Sequence, residues 1–447
     1  MTALPLAPAI ETQAGDVAVR STVVIVSPYF PPSSVAGVHR SRHLANHLEA
    51  HGWHPIILCV DEAHHEEELD PALASLVRPN AEIIKVGALS SATTRLIGIG
   101  DLSIRAFSAL RRAIFRLLNT RRIDAVLITG SPFYPMLLAP EIRRRYSVPI
   151  VLDFQDPWVS NWGARQSVRT KAGLSHALAC RLEPRALRAA SFITSVSETQ
   201  NAEMAGRYPW LDATRMAAIP IGGDPGDFEQ LRRSDLVLPA GVLDPARINL
   251  SFVGTVMPRS GPLLRLVLRA LARLRQSEPA LGQRLRLSFI GSSNQPGRRG
   301  AYRVLPVAAE EGVADAVHEI PERLPFLQAI AILVRSEGVL LIGSDEAHYT
   351  ASKIYPALMC GRPFISLFHQ ASSSHHILTA AGGGAAHAYL PGADTHQLVQ
   401  EIATSLRALA MDRDSFGRVD ASVYAAYEAR SVAARFAQVL DEAVLAA

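Results

Sequence analysis

Of the 45 lysines and arginines in this 447-residue chain, only those at positions 85, 171 and 353 are lysine. A chain that writes nearly every positive charge as arginine, yet keeps a lysine at one point, favours a compact ammonium over a planar guanidinium there. The competing reading is chance retention on a solvated face. Lys353 lies in GVLLIGSDEAHYTASKIYPALMCGRPFISLF, residues 338–368. Residues 339–342 have the length and β-branched content of a buried strand, 354–359 read as a short helix stopped by Gly361, and 364–368 form a second buried strand. Strand, loop, helix and strand make half of a parallel α/β layer, which binds ligands at strand carboxyl ends and helix N-termini. The loop 344–352 is therefore the first candidate site. Pro356 disfavours helical backbone at Tyr355, which predicts a helix starting near 356 and leaves Lys353 in the loop, aimed at a ligand.

Two carboxylates, Asp153 and Asp156, fall at or just past the end of another buried strand, PIVLDF, and one of them is expected in a cleft. Asp156 precedes Pro157, so a turn-forming role competes with a chemical one. Gly37 sits in PYFPPSSVAGVHR, between the strand 22–27 and a helix over 42–51, where a residue without a side chain lets a ligand approach the backbone. That loop is not GxGxxG, so no nicotinamide cofactor is implied. Gly254 closes a strand over 248–253, and Arg259 lies in the loop that follows.

These residues need rigid elements to position them, and the chain is long enough for two domains with sizeable cores. Hydrophobic residues make up 48% and charged residues 19%, as in a folded, soluble protein. The net charge of +4 is mild and no basic run is interleaved with aromatics, so nucleic acid is not indicated. Cys59, Cys180 and Cys360 lie far apart in apolar surroundings; they read as buried thiols of a reducing compartment without metal spacing. No basic region precedes an apolar run in residues 1–20, which read as a disordered tail, and no apolar run reaches membrane-spanning length. The expected address is cytoplasmic.

Strands at 22–27, 55–60, 125–129, 149–154 and 192–196 alternate with helical patterns and assign 21–225 to a Rossmann-like domain. Residues 226–246, rich in Gly, Pro and Asp, read as a linker. The strand-Gly-loop-helix opening then recurs and assigns 247–422 to a second such domain. A helix over 423–447 is expected to pack back on the first. Between 95 and 122, seven arginines accompany one acid, Asp101, and apolar residues recur at helical spacing. Such a helix suits either the anionic face of the inner membrane or ordinary packing with its polar side in water.

The segments VVIVSPYFPPSSVAGVHRSRHLANHLEAHGW, VPIVLDFQDPW, LEPRALRAASFITSVSET, IPIGGDPGDF and FVGTVMPR resemble, in order and spacing, family 4 glycosyltransferases of the GT-B fold. SKIYPALMCGRPFI resembles the family's donor-site segment. The resemblance implies a nucleoside diphosphate sugar bound by the C-terminal domain and a saccharide or lipid-linked acceptor bound by the N-terminal one. It further implies transfer with retention and without a metal or other cofactor. It places Gly37, Gly254, Arg259, Ser352, Lys353 and Tyr355 at the donor and Asp156 at the acceptor. Two glutamates that many members carry in the donor segment are replaced by His348 and Pro356, so Lys353 is expected to supply charge on the diphosphate. A nucleotide-sugar epimerase, or a non-catalytic partner that kept the fold, are the alternatives. Sugar, base, acceptor and oligomeric state are not specified by these residues.

Overall fold

A computed structural model describes residues 21–293, 300–347 and 349–446. The expected tail, 1–20, and His348 lie outside the described residues. Strands β1 (Ser21–Val26), β2 (Trp53–Val60), β3 (Glu82–Val86), β4 (Ala125–Gly130), β5 (Ile150–Phe154), β6 (Phe192–Ser195) and β7 (Met216–Ala218) form one parallel sheet in the order β3-β2-β1-β4-β5-β6-β7. Strands β8 (Ile248–Val253), β9 (Leu285–Ile290), β10 (Val317–Ile320), β11 (Gly338–Ile342), β12 (Phe364–His369) and β13 (Gly384–Tyr389) form a second, in the order β10-β9-β8-β11-β12-β13. These are two Rossmann-like domains.

The first sheet is covered on both faces, which is why its strands are continuous apolar runs and not alternating ones. Val24, Val26 and Leu58 point into one core cluster, whereas Val23, Ile25 and Ile57 point into another. Helix α1 (Val38–His47) follows β1, and α2 (Leu102–Thr120) covers the opposite face. Asp101 caps α2, and Leu110, Ile114, Phe115 and Leu117 are buried along it. Of the two readings of this stripe, the apolar residues take the packed one and are core. Its basic side is also engaged: Arg95 pairs with Glu66, Arg111 with Glu141, Arg121 with Glu82 and Arg122 with Asp124, while Arg105 donates to the carbonyls of Leu89 and His64.

Helix α3 (Lys171–Leu187) connects β5 to β6. On it Cys180 is exposed, its Sγ 3.4 Å from His176 Nε2, contrary to the expectation of three buried thiols. Leu174 and Leu178, near it in sequence, sit on the outward side of the helix. The segment expected to be a linker opens with helix α4 (Pro225–Arg233). The Asp224 side chain accepts from Gly226 N and Pro225 occupies the first turn, so a strong start signal holds a helix too short for its periodicity to be read.

In the second domain, α5 (Phe326–Arg335) precedes β11 and α6 (Ile354–Met359) follows it. Helix α6 starts ahead of Pro356. The proline falls in the first turn, where the missing N–H has no intrahelical partner to lose, and Lys353 takes helical backbone (φ −63°, ψ −16°) as the capping residue. The closing helix, α7 (Ala429–Leu445), crosses back to the first sheet, where Val432, Ala433, Phe436 and Leu440 join the cluster of Val23, Ile25 and Trp53. At the crossing, Gly223 N donates to Tyr427 O (3.0 Å) and Ala429 N to Gly223 O (2.7 Å). Gly222 has φ +76°, and a Cβ there would stand 2.5 Å from Tyr427 O, so the two strands of chain touch only because this residue has no side chain.

Candidate functional site

The carboxyl end of β8 builds the centre of the site. The chain leaves Val253 through Gly254 at φ +128°, a backbone that L side chains rarely adopt, and Gly254 N is tied to Ile290 O at 2.8 Å. A Cβ on Gly254 would lie 3.5 Å from both Cε and Nζ of Lys353. The lysine ammonium therefore rests directly under this turn. Nζ lies 4.0 Å from the centroid of the Phe252 ring and donates to Thr255 O at 3.4 Å, and no carboxylate faces it among the described residues. Burial draws the ammonium down from 10.5 to about 7. Lys353 is thus no solvated surface cation: it is held near its charging point in a space where an anion would complete its coordination.

That space is a cavity of about 200 Å³ between the domains. The second domain contributes Gly254, Thr255, Gly291, Arg323, Ser352 and Lys353, and the first contributes Ser34, Ala36, His39, Arg42 and His43. Gly254, Ser352 and Lys353 are accordingly brought together. The arginines lining the cavity are held in place. Arg42 makes a two-pronged pair with Asp227 of α4 (2.6 and 2.7 Å), and Arg323 Nη1 donates to Ser34 O at 2.6 Å across the cleft. Phe326 N donates to Asp70 Oδ2 at 2.7 Å, and the Phe326 ring lies 4.6 Å from that of His39. Burial, reinforced by Arg42 and Arg323, lowers His39 to about 3, so its imidazole is neutral at pH 7.

The other expected residues are placed elsewhere. Arg259 does not line the cavity; its Nε is 2.7 Å from Asp345 Oδ1 and 3.4 Å from Glu346 Oε1, so the two loop carboxylates that stand near the missing glutamates are engaged with this arginine. Tyr355 is buried, its ring 5.8 Å from that of Tyr427, and its hydroxyl has no hydrogen-bond partner among the described residues. It packs behind the crossing and does not reach the cavity. Gly37 starts α1, where a Cβ would approach Ser131 O and Gln155 Oε1 to 3.4 Å; its close neighbours are the ends of β4 and β5. Of the two carboxylates, Asp153 is withdrawn, accepting from Arg40 Nε (3.1 Å) and Thr194 Oγ1 (2.8 Å). Asp156 is exposed at the rim. Burial, with the Asp156 charge added, raises the Tyr349 hydroxyl to about 12, which sets Asp156 opposite the β11–α6 loop of the other domain. Beside it Phe133 and Trp158 stack at 5.4 Å with 7° between their planes.

Arg42, His39, Arg323 and Phe326 carry the cleft and were not among the expected residues. Two of them sit in VHRSRH, whose density of basic groups on a helix between buried strands is a signal that this helix faces more than solvent.

Residues 36–222 match the glycosyl transferase 4-like domain. The chain superposes on an α,α-trehalose-phosphate synthase (UDP-forming) from Burkholderia vietnamiensis with a TM-score of 0.64, covering 96% of this chain and all of that one at 13% identity. Anabaena HepE in complex with UDP and glucose gives 0.60, covering 94% and 100%, also at 13% identity. The likeness to these solved structures gives the chain the two-domain GT-B fold, and its first domain matches the glycosyl transferase 4-like model. Among curated proteins, the D-inositol 3-phosphate glycosyltransferase of Geodermatophilus obscurus is 28% identical over 160 residues, and that of Salinispora arenicola 29% over 166. The match covers 35% and 34% of this chain, and spans about one third of each relative's length, 33% and 35%.

Proposed function

We propose that the chain is a glycosyltransferase that moves a sugar from a nucleoside diphosphate sugar, held by the second domain, to a saccharide or lipid-linked acceptor entering past the rim of the first, with retention of configuration. The observation that carries this reading is Lys353, partly buried beneath the Gly254 turn with no carboxylate facing it among the described residues, and open to the interdomain cavity. The leaving diphosphate develops charge as the glycosidic bond breaks, and a cation preorganised in a water-poor cleft stabilises that charge. Gly254 and Ser352 would lie along the diphosphate, Gly37 would let the sugar end of the donor approach the first domain, and Asp156 would orient the acceptor beside the Phe133–Trp158 stack. Arg259 would reach the donor only by exchanging Asp345 and Glu346 for phosphate oxygens. Tyr355 supports α6 from behind. On this reading the work is done in the cytoplasm, at the inner face of the membrane if the acceptor is lipid-borne.

A thermal-shift series with UDP, GDP, ADP and TDP tests the donor half, since a ligand present at one hundred times its Kd stabilises by about 2.7 kcal/mol. No shift with any nucleoside diphosphate would refute it. A second reading, a donor-binding partner without turnover, is favoured by Pro356 at a glutamate position and by the occupied state of Arg259. Donor binding without transfer on a broad acceptor panel would select it.

A further inference from the structure

The loop after β5 and the outward side of α3 carry a surface that the cleft does not use. Trp162 is 48% exposed, Val168 70%, Leu174 65% and Leu178 42%. Arg165, Arg169, Lys171, Arg181 and Arg185 are exposed around them. From residue 157 to 187 the one acidic residue is Glu183, which is buried and accepts from Val159 N and Tyr208 Oη. Positions 171, 174, 178, 181 and 185 fall at helical spacing, so Lys171, Leu174, Leu178, Arg181 and Arg185 form one outward stripe. No acidic partner of any of these five stripe and loop cations is found among the described residues. That contrasts with the arginines flanking α2, most of which are neutralised by carboxylates and whose neighbouring apolar residues are core. The surface begins at Trp162, six residues beyond Asp156 at the cleft rim.

We infer that Trp162, Val168, Leu174 and Leu178, ringed by Arg165, Arg169, Lys171, Arg181 and Arg185, form a docking surface for an anionic lipid bilayer. Leucine and tryptophan side chains enter the headgroup boundary while unpaired cations meet lipid phosphates, and each contribution alone gives only reversible binding. Charge complementarity selects the occupant, because a second copy of the same surface would bring five like charges on each side face to face. The geometry also orients the molecule, with the rim at Asp156 near the plane of the headgroups. The inference deepens the proposal of a lipid-linked acceptor and rests on it for biological meaning, but its test reads vesicle binding and not transfer, so either can fail alone.

The experiment is co-sedimentation of the full chain with vesicles of phosphatidylcholine alone or with one third phosphatidylglycerol. Binding is expected to the mixed vesicles, weaker to the neutral ones, and reduced by salt. Leu174→Ser with Leu178→Ser should lower the partition coefficient about tenfold or more, and each of Arg165→Glu, Arg169→Glu and Arg181→Glu about fivefold. Melting temperature and the shift caused by UDP are measured on every variant, so that loss of fold or of donor binding is seen separately. Arg112→Glu with Arg116→Glu, on α2, should leave sedimentation unchanged. The inference is overturned if the wild type ignores both vesicle types at low salt, or if the α3 variants bind as well as the wild type. It is equally overturned if the α2 pair abolishes binding, or if Leu174→Ser with Leu178→Ser dissolves a dimer seen by analytical ultracentrifugation.

Discussion

Removing the Lys353 ammonium gives the sharpest test, because the structure sets both the size and the pH dependence of the effect. In the free protein the group is drawn from 10.5 to about 7 by burial, so at neutral pH it is about half charged. At about 1.4 kcal/mol per pH unit, charging it fully in the empty cavity costs up to roughly 5 kcal/mol, an upper limit that water entry reduces. A diphosphate above the Gly254 turn offsets that cost, so above pH 7 binding must draw a proton from solvent. The affinity for UDP or another nucleoside diphosphate should therefore fall by about tenfold per pH unit between pH 7 and 9. Lys353→Ala should lose about 2 to 4 kcal/mol of binding at pH 6.5 and show a flat profile. Lys353→Arg, charged throughout, should be flat as well, and weaker because the guanidinium does not fit between Gly254 and Phe252. Calorimetric titration in buffers of different ionisation enthalpy measures affinity and proton uptake together. A wild-type profile that is flat, or that coincides with the alanine variant, would sink the reasoning. The same group sets a stability trend of known sign. The unfolded chain holds the proton up to 10.5 and the folded one only to about 7, so the penalty on the free protein is full below pH 7 and fades as pH rises toward 10.5. Lys353→Met should accordingly raise the melting temperature more at pH 6 than at pH 9.5.

Asp156→Asn keeps size and turn propensity; transfer should drop by roughly two to four powers of ten with donor affinity retained, and unchanged turnover would assign Asp156 to the turn. Breaking the buried Arg42–Asp227 pair by Asp227→Ala should cost about 3 to 5 kcal/mol in chemical denaturation, since it leaves a guanidinium unpaired between α1 and α4; a loss below 1 kcal/mol would show that solvent replaces the carboxylate. Gly222→Ala, at φ +76° and against Tyr427 O, should destabilise by about 1 to 3 kcal/mol, read as a fall in melting temperature, whereas Gly241→Ala, also at positive φ but with open space around it, should lose less.

The fold was readable because both sheets are buried on two faces, so their strands appear as short apolar runs such as TVVIV and GVLLI, punctuated by glycine. Gly254 was readable because it closes such a run, and Lys353 because it is one of three lysines in a chain that otherwise writes its cations as arginine. The rest of the cleft was not. Arg42, His39 and Arg323 act through partners 185 to 289 positions away in the chain, as when Arg323 reaches Ser34 and Arg42 reaches Asp227, and nothing local marks those pairings. Spacing also could not separate Asp153 from Asp156, because burial of the first depends on Arg40 and Thr194, which other elements deliver. The helical pattern at 102–120 was correctly periodic, but periodicity does not say whether the stripe faces a core or a lipid.

The paired crossing at Gly223 and Tyr427–Ala429 has a mechanical meaning. A pair of domains joined by one strand of chain can twist, slide and bend about that tether. Here two strands pass between the bodies side by side, hydrogen-bonded to each other at 3.0 and 2.7 Å, with Tyr355 packed against them from the second domain. Two adjoining pivots leave one easy rotation, about the line through both, and resist the rest. Opening of the cleft should then be a single angular coordinate in which Arg323 leaves Ser34 and Phe326 leaves Asp70 together, as a door leaves its frame along the whole edge at once.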